Sequence, residues 1–202
     1  MIKCNVTLIG TISRKGEHKT DKEGRPFLSF GVRTVISAKS GINQTIEVSV
    51  AKDGNTDAAF DFAEGTRVKI AGTLTFRKRN DNLYYNLAAS SVDFNPSEQD
   101  SITGTMSFRG TIGGKGVVEK QSKKGAFRIF DGYSAEKVGE GEFAYTWVHF
   151  VDFYNDCLEW LQPKAGVNVE GELSLDVYND RLSINCKVSS LSPWDKQQYN
   201  RQ

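Results

Sequence analysis

The chain has 202 residues, 38% of them hydrophobic, and 26 Lys and Arg against 25 Asp and Glu leave a net charge of +1. Such a balance points to no polyanion by itself, so any affinity for nucleic acid must come from local clusters. Three cysteines (Cys4, Cys157 and Cys186) are an odd number without CxxC spacing, which fits free thiols in a reducing compartment. The opening run MIKCNVTLIGTIS is too short to span a membrane and has no signal-peptide cleavage pattern, so the protein reads as soluble and cytoplasmic.

Taken in chain order, the first half reads as strands. VTLIGTI (6–12) comes first, followed by a charged loop, RKGEHKTDKEGR (14–25), and then FLSFGVRTV (27–35). TIEVSVA (45–51), TRVKIAGTLTF (66–76) and NLYYNLAASSVDF (82–94) follow, all rich in β-branched and aromatic residues with turn residues between them. TIEVSV alternates apolar Ile46, Val48 and Val50 with polar Glu47 and Ser49, the period of a half-buried strand. DAAFDFAEG (57–65) has the spacing of a short helix closed by Gly65, and Asn80-Asp81 suits a hairpin turn. In the strand before that turn, Leu74 should face the core, leaving Thr75, Arg77 and Arg79 on the opposite face. Tyr84 and Tyr85 must point to opposite faces, so one of them belongs to the core.

The second half repeats the first. GTLTFRKRNDNLYYN (72–86) returns as GELSLDVYNDRLSIN (171–185), with Gly72/Gly171, Leu74/Leu173, Asn80/Asn179, Asp81/Asp180, Leu83/Leu182 and Asn86/Asn185 in the same places. VTLIGTIS (6–13) answers to MSFRGTIG (106–113), PFLSF (26–30) to GAFRIF (125–130), TIEVSV (45–50) to TWVHFV (146–151), and RVKIAGTL (67–74) to GVNVEGEL (166–173). NDCLEWLQP (155–163) is the second short helix, with Leu158 and Leu161 on one side and Pro163 ending it. A period near 100 residues marks a tandem domain and not a solenoid. The expected units are residues 1–96 and 102–194, joined by a linker at 97–101 and followed by a short tail at 195–202. Residues 1–98 hold 14 Lys and Arg against 11 Asp and Glu, and residues 99–202 hold 12 against 14, so the first unit is the more basic. Periodicity alone yields two small β-barrels.

The order of these motifs resembles the bacterial single-stranded DNA-binding protein family. NVTLIGTI is similar to that family's opening N-x-V/L-x-G-x-L/I strand. FAEGTRVKIAGTL and LQPKAGVNVEGEL are similar to its G-x-V-x-I-x-G-x-L element, the most specific part of the likeness. Thr146, Trp147 and Phe153 match its third strand. The resemblance implies an all-β chain of tandem OB-folds, each a five-stranded Greek-key barrel with one short helix between its third and fourth strands. It implies a protein that coats and protects single-stranded DNA in replication, recombination, repair or DNA transfer. It also implies a homodimer, because a branch of the family with two OB-folds per chain assembles four of them in this way. The ending WDKQQYNRQ is short and not acidic, unlike the acidic tip through which many members recruit replication proteins.

A single strand held without sequence preference needs cations for its phosphates and exposed aromatic faces for its bases. The cations expected to serve are Arg14, Lys15, Arg33, Arg77, Lys78 and Arg79, all in the first unit. The stacking residues are Tyr133, Trp147, Phe153 and Tyr178, all in the second. Arg33 and Tyr133 occupy matching outward positions on the second strand. Trp147, His149, Val151 and Phe153 share one strand face opposite Val148 and Phe150, although a tryptophan in a small barrel can equally be core. Trp160 and Trp194 read as packing residues. His18 and His149 lack partners at metal-ligand spacing, so no metal or other cofactor is expected. GGKG (113–116) lacks the spacing and the Ser/Thr of a phosphate loop, and no nucleophile–base pair is evident, so the chain is read as a non-enzyme. The rival reading is an OB-fold module that binds a protein or RNA partner.

Overall fold

The computed structural model describes residues 1–38, 42–54, 61–79, 82–123, 125–153, 158–178 and 181–195, with backbone only at Tyr178. Among the described residues ten strands carry the fold: β1 Ile2–Thr20, β2 Pro26–Ile36, β3 Gln44–Asp53, β4 Arg67–Arg79, β5 Asn82–Phe94, β6 Ser101–Ser122, β7 Gly125–Lys137, β8 Phe143–Asp152, β9 Gly166–Tyr178 and β10 Arg181–Pro193. The first five close on one another. β1 pairs with β2, β2 with β3, β3 with β5 in parallel, β5 with β4, and β4 again with β1. The second five repeat that cycle through β6–β7, β7–β8, β8–β10 in parallel, β10–β9 and β9–β6. Closing the cycle leaves no exposed edge along the paired segments. Each ring is filled by the inward residues of its strands. Phe30, Val32, Val48, Ile70 and Leu74 fill the first, and Phe108, Phe130, Val148, Phe150 and Val169 the second.

The rings are joined by β1 and β6, which pair antiparallel from Ile2↔Phe108 to Ile9↔Ser101. Since β6 repeats β1 at an offset of 100 residues, the pairs Val6↔Gly104 and Cys4↔Met106 are two copies of one contact. A pseudo-two-fold axis therefore passes through the pair Asn5↔Thr105. Gly104 permits the close approach, since a Cβ there would sit 2.0 Å from the Asn5 carbonyl oxygen. Arg77 on β4 reaches Glu136 on β7 at 3.5 Å across the junction. Between the rings, Asp100 accepts the Val35 N–H at 3.1 Å and pairs with Arg67.

The structure departs from the sequence-based expectation in three places. The segment 14–25 is not one charged loop, because β1 continues to Thr20 and pairs Lys19 with Phe27 and Thr20 with Pro26. His18 therefore lies in a strand opposite Leu28. Two register shifts, between Ile12 and Arg14 and between Arg14 and Glu17, re-aim the strand and break the alternation that would have revealed it. Of the two short helices, residues 57–60 and 155–157 lie outside the described residues, as do both Asn-Asp turns at 80–81 and 179–180. The described remainder of each helix, 61–65 and 158–163, holds no α-helix. It still contributes to the core through Phe62 and Leu161.

The third departure concerns the repeat. In the first ring Phe30 pairs with Val50 and Arg33 with Glu47; in the second Phe130 pairs with Phe150 and Tyr133 with Trp147. The third strands thus correspond at an offset of 100, one residue away from the TIEVSV/TWVHFV alignment. A one-residue slip would turn every side chain to the opposite face. Glu47, not Ile46, is the counterpart of Trp147.

Candidate nucleic-acid interface

Alternation along β8 sorts its residues cleanly. Val148 and Phe150 are buried, while Phe143, Tyr145, Trp147 and Phe153 stand 46–53% exposed on the other face. Tyr133, opposite Trp147 in the ladder, places its ring centre 5.0 Å from that of Trp147 and 5.5 Å from Tyr145, edge-on to the latter. Just past the end of β8, Phe153 stacks on Phe127 at 5.6 Å, and the Lys187 ammonium lies 5.9 Å from the Phe153 ring centre. Gly113 keeps the approach to Trp147 open, as a Cβ there would come within 3.0 Å of the indole. A row of half-exposed aromatic rings is an apolar surface that a monomer rarely leaves uncovered without a use for it.

The same rung of the first ring is charged. Arg33 faces Glu47 in the ladder, and Arg14 Nη1 lies 3.8 Å from Glu47 Oε1. One wall position thus holds a Tyr–Trp pair in one ring and an Arg–Glu pair in the other.

Both walls border one open groove of about 1920 Å³. From the first ring it takes Arg14, Glu47, Lys78 and Tyr84; from the second, Tyr145, Trp147, His149 and Arg181. His149, which also lines it, contacts Asp131 through Nδ1, which leaves Nε2 directed away from that carboxylate. Among the described lining residues Arg14, Lys78 and Arg181 carry positive charge and Glu47 and Asp176 negative, so the groove is only mildly basic. It can seat planar rings against Trp147 and Tyr145 and offers cations from both rings to anionic groups nearby. No cluster of His, Cys, Asp and Glu suited to a metal ion occurs among the described residues. Among them, too, no helix is long and apolar enough to cross a membrane.

Of the ten residues singled out by sequence, Arg14, Lys78 and Trp147 line the groove. Arg33 and Tyr133 lie beside it on the rung just described. Phe153 belongs to the second aromatic cluster at the far end of β8. Lys15 and Arg79 are exposed but are not among the lining residues described. Arg77 points to the other side of β4, where it meets Glu136. The side chain of Tyr178 lies outside the described residues. Sequence reasoning passed over Tyr84, Tyr145 and Arg181. Tyr145 had a signal, since it alternates with Trp147 in FAYTWVHF, but the aligned stretch began one residue too late. Tyr84 is resolved from Tyr85 only by burial, 49% exposed against 8%. Trp160 and Trp194 are partly buried as expected, and the Arg109 guanidinium sits 5.8 Å from the Trp194 ring centre.

No protein-family model and no curated protein matches the chain. The chain is similar to single-stranded DNA-binding proteins of known structure. The wild-type single-stranded DNA-binding protein from Thermus aquaticus aligns over 97% of this chain and 94% of its own, at 15% identity and a TM-score of 0.48. The small single-stranded DNA-binding protein from Streptomyces coelicolor covers 50% of this chain and 97% of its own, at 16% identity and a TM-score of 0.36. The PriB protein from Ralstonia solanacearum covers 45% of this chain and 98% of its own, at 16% identity and a TM-score of 0.34.

Proposed function

We propose that this chain is a non-catalytic binder of single-stranded DNA, built from two tandem OB-folds at residues 1–96 and 102–194 with a linker at 97–101. The observation that carries the reading is the aromatic face of β8, half-exposed along its length and bordering a groove whose other wall supplies Arg14 and Lys78. Bases would stack on Trp147 and Tyr145, with Tyr133 bracing the indole from the neighbouring strand. Each stacked base contributes about 1–3 kcal/mol whatever its identity, so the surface suits coating a strand more than reading it. Phosphates would meet the cations on the groove's margins. The five-strand closure with β3 parallel to β5 supports the OB-fold reading, as does its repetition in β6–β10. Two copies of the chain would present four such folds, which sedimentation or light scattering would test.

The deciding experiment is a titration of intrinsic fluorescence with oligo-dT at low and high salt. All three tryptophans, Trp147, Trp160 and Trp194, lie in the second ring, and Trp147 is the one 48% exposed in the groove. Quenching that weakens with salt and disappears in Trp147→Ala is the expected result. The logarithm of the binding constant should fall by about 0.7 per phosphate contact for each tenfold rise in salt. Labelled DNA that shows no anisotropy change at low salt would overturn the reading and favour a protein partner for the same face.

A further inference from the structure

We propose that Glu47 holds back the affinity of the first ring, occupying cations that a phosphate would otherwise take. The proposal rests on the single-stranded DNA reading and assigns a role within that groove to a residue the reading leaves unexplained. Glu47 is the structural counterpart of Trp147, as Arg33 is of Tyr133, because the two ladders share one register. Where the second ring presents an indole to the groove, the first presents a carboxylate. That carboxylate lies over Gly31, where a Cβ would come within 3.1 Å of its Oε1, and faces Arg14 at 3.8 Å. Arg33 stands directly across the ladder on the same face.

Stability gives no strong reason for the arrangement. The Arg14 and Glu47 side chains are 46% and 48% exposed, and an ion pair so placed contributes little to folding. Its effect on an anionic ligand is larger, for two reasons. A phosphate approaching Arg14 must displace the carboxylate already beside it, and it also meets that carboxylate's own charge. Arg14 thus meets the strand with part of its attraction already taken up by Glu47. Exchange of Glu47 for a neutral residue should release it. The first ring then gains a phosphate contact, while the aromatic wall of the second is untouched. On this view the second ring grips bases and the first holds the backbone loosely, which would let a strand leave or slide without breaking the stacked contacts together.

The test compares the full-length protein with Glu47→Gln, measuring oligo-dT affinity by anisotropy over a salt series. Glu47→Gln is expected to bind about two- to fivefold more tightly at low salt, the range an exposed ion pair can supply. Its salt slope should steepen by about 0.7, one additional phosphate contact on a single strand. In an Arg14→Ala background the added slope should shrink, because the released cation is gone. Thermal unfolding of Glu47→Gln should stay close to that of the parent. Unchanged or weaker binding, or tighter binding with an unchanged slope, would overturn the proposal while leaving the DNA-binding reading intact. Absence of dT binding by the parent protein would overturn both.

Discussion

Asp152 and Arg128 face each other across the β7–β8 ladder, their side chains 0% and 8% exposed, with Arg128 Nε donating to Asp152 Oδ2 at 2.6 Å. The corresponding rung of the first ring pairs Leu28 with Lys52, so the closed cycle of strands does not require an ion pair there. Desolvating two charges costs nearly what their attraction returns, but removing one of them takes from the other, still buried, its charge-assisted partner across the ladder. Asp152→Asn or Arg128→Leu should therefore cost about 3–5 kcal/mol, whereas the double exchange Arg128→Leu with Asp152→Leu should recover most of that loss. Taken as a unit of about 100 residues, the second ring should lose roughly 4–8 °C of melting temperature per kcal/mol. Urea unfolding followed by tryptophan emission is the appropriate assay, since every tryptophan reports on that ring. Single exchanges that each cost less than about 1 kcal/mol would refute the argument. So would a double exchange as damaging as the sum of the singles.

Two further outcomes follow from local chemistry. Burial raises the Cys4 and Cys186 thiols from their usual value near 9 to about 12, and the Tyr85 phenol from near 10 to about 12. Between those values the unfolded chain has released protons that the folded one retains. Stability is then complete below about pH 9 and falls as pH rises, at about 1.4 kcal/mol per pH unit for each group, with Cys4 and Cys186 inert to alkylation in the native protein at pH 8. Denaturant midpoints from pH 8 to 11 and thiol mass labelling would check both statements, and a flat midpoint would contradict the first. Lys164 holds φ at +68°, at the place where the first ring has Gly65 at +87°. Gly65→Ala should lower stability by about 1 kcal/mol, because a Cβ there meets nothing within 4 Å and pays only the strain of that backbone region, as calorimetry would show.

The parts of this fold legible in sequence are those where alternation and repetition reinforce one another. β5 was bounded at Asn82 and Phe94 by composition alone, and the echo of Gly72, Leu74 and Asn86 in the second half fixed the last hairpin of both rings. What stayed hidden were the places where the period breaks. The shifts in β1 around Arg14 made a strand look like a loop, because polar residues follow one another on a segment that projects beyond the core. The slip of one residue between the third strands had a chemical cause as well. Thr45 and Thr146 invite superposition by identity, yet the buried set Val48 and Val50 corresponds to Val148 and Phe150 only when Glu47 is laid on Trp147. Identity records which residue type survived, whereas register is decided by which face meets the core. A more basic first half and a more aromatic second half are readable from composition. That a cation of the first ring already faces a carboxylate is not, because Glu47 lies 33 residues from Arg14 in sequence and meets it only once β1, β2 and β3 have paired. The groove's mild charge follows from that pairing, and so does the expectation that stacking, more than phosphate attraction, holds a strand there.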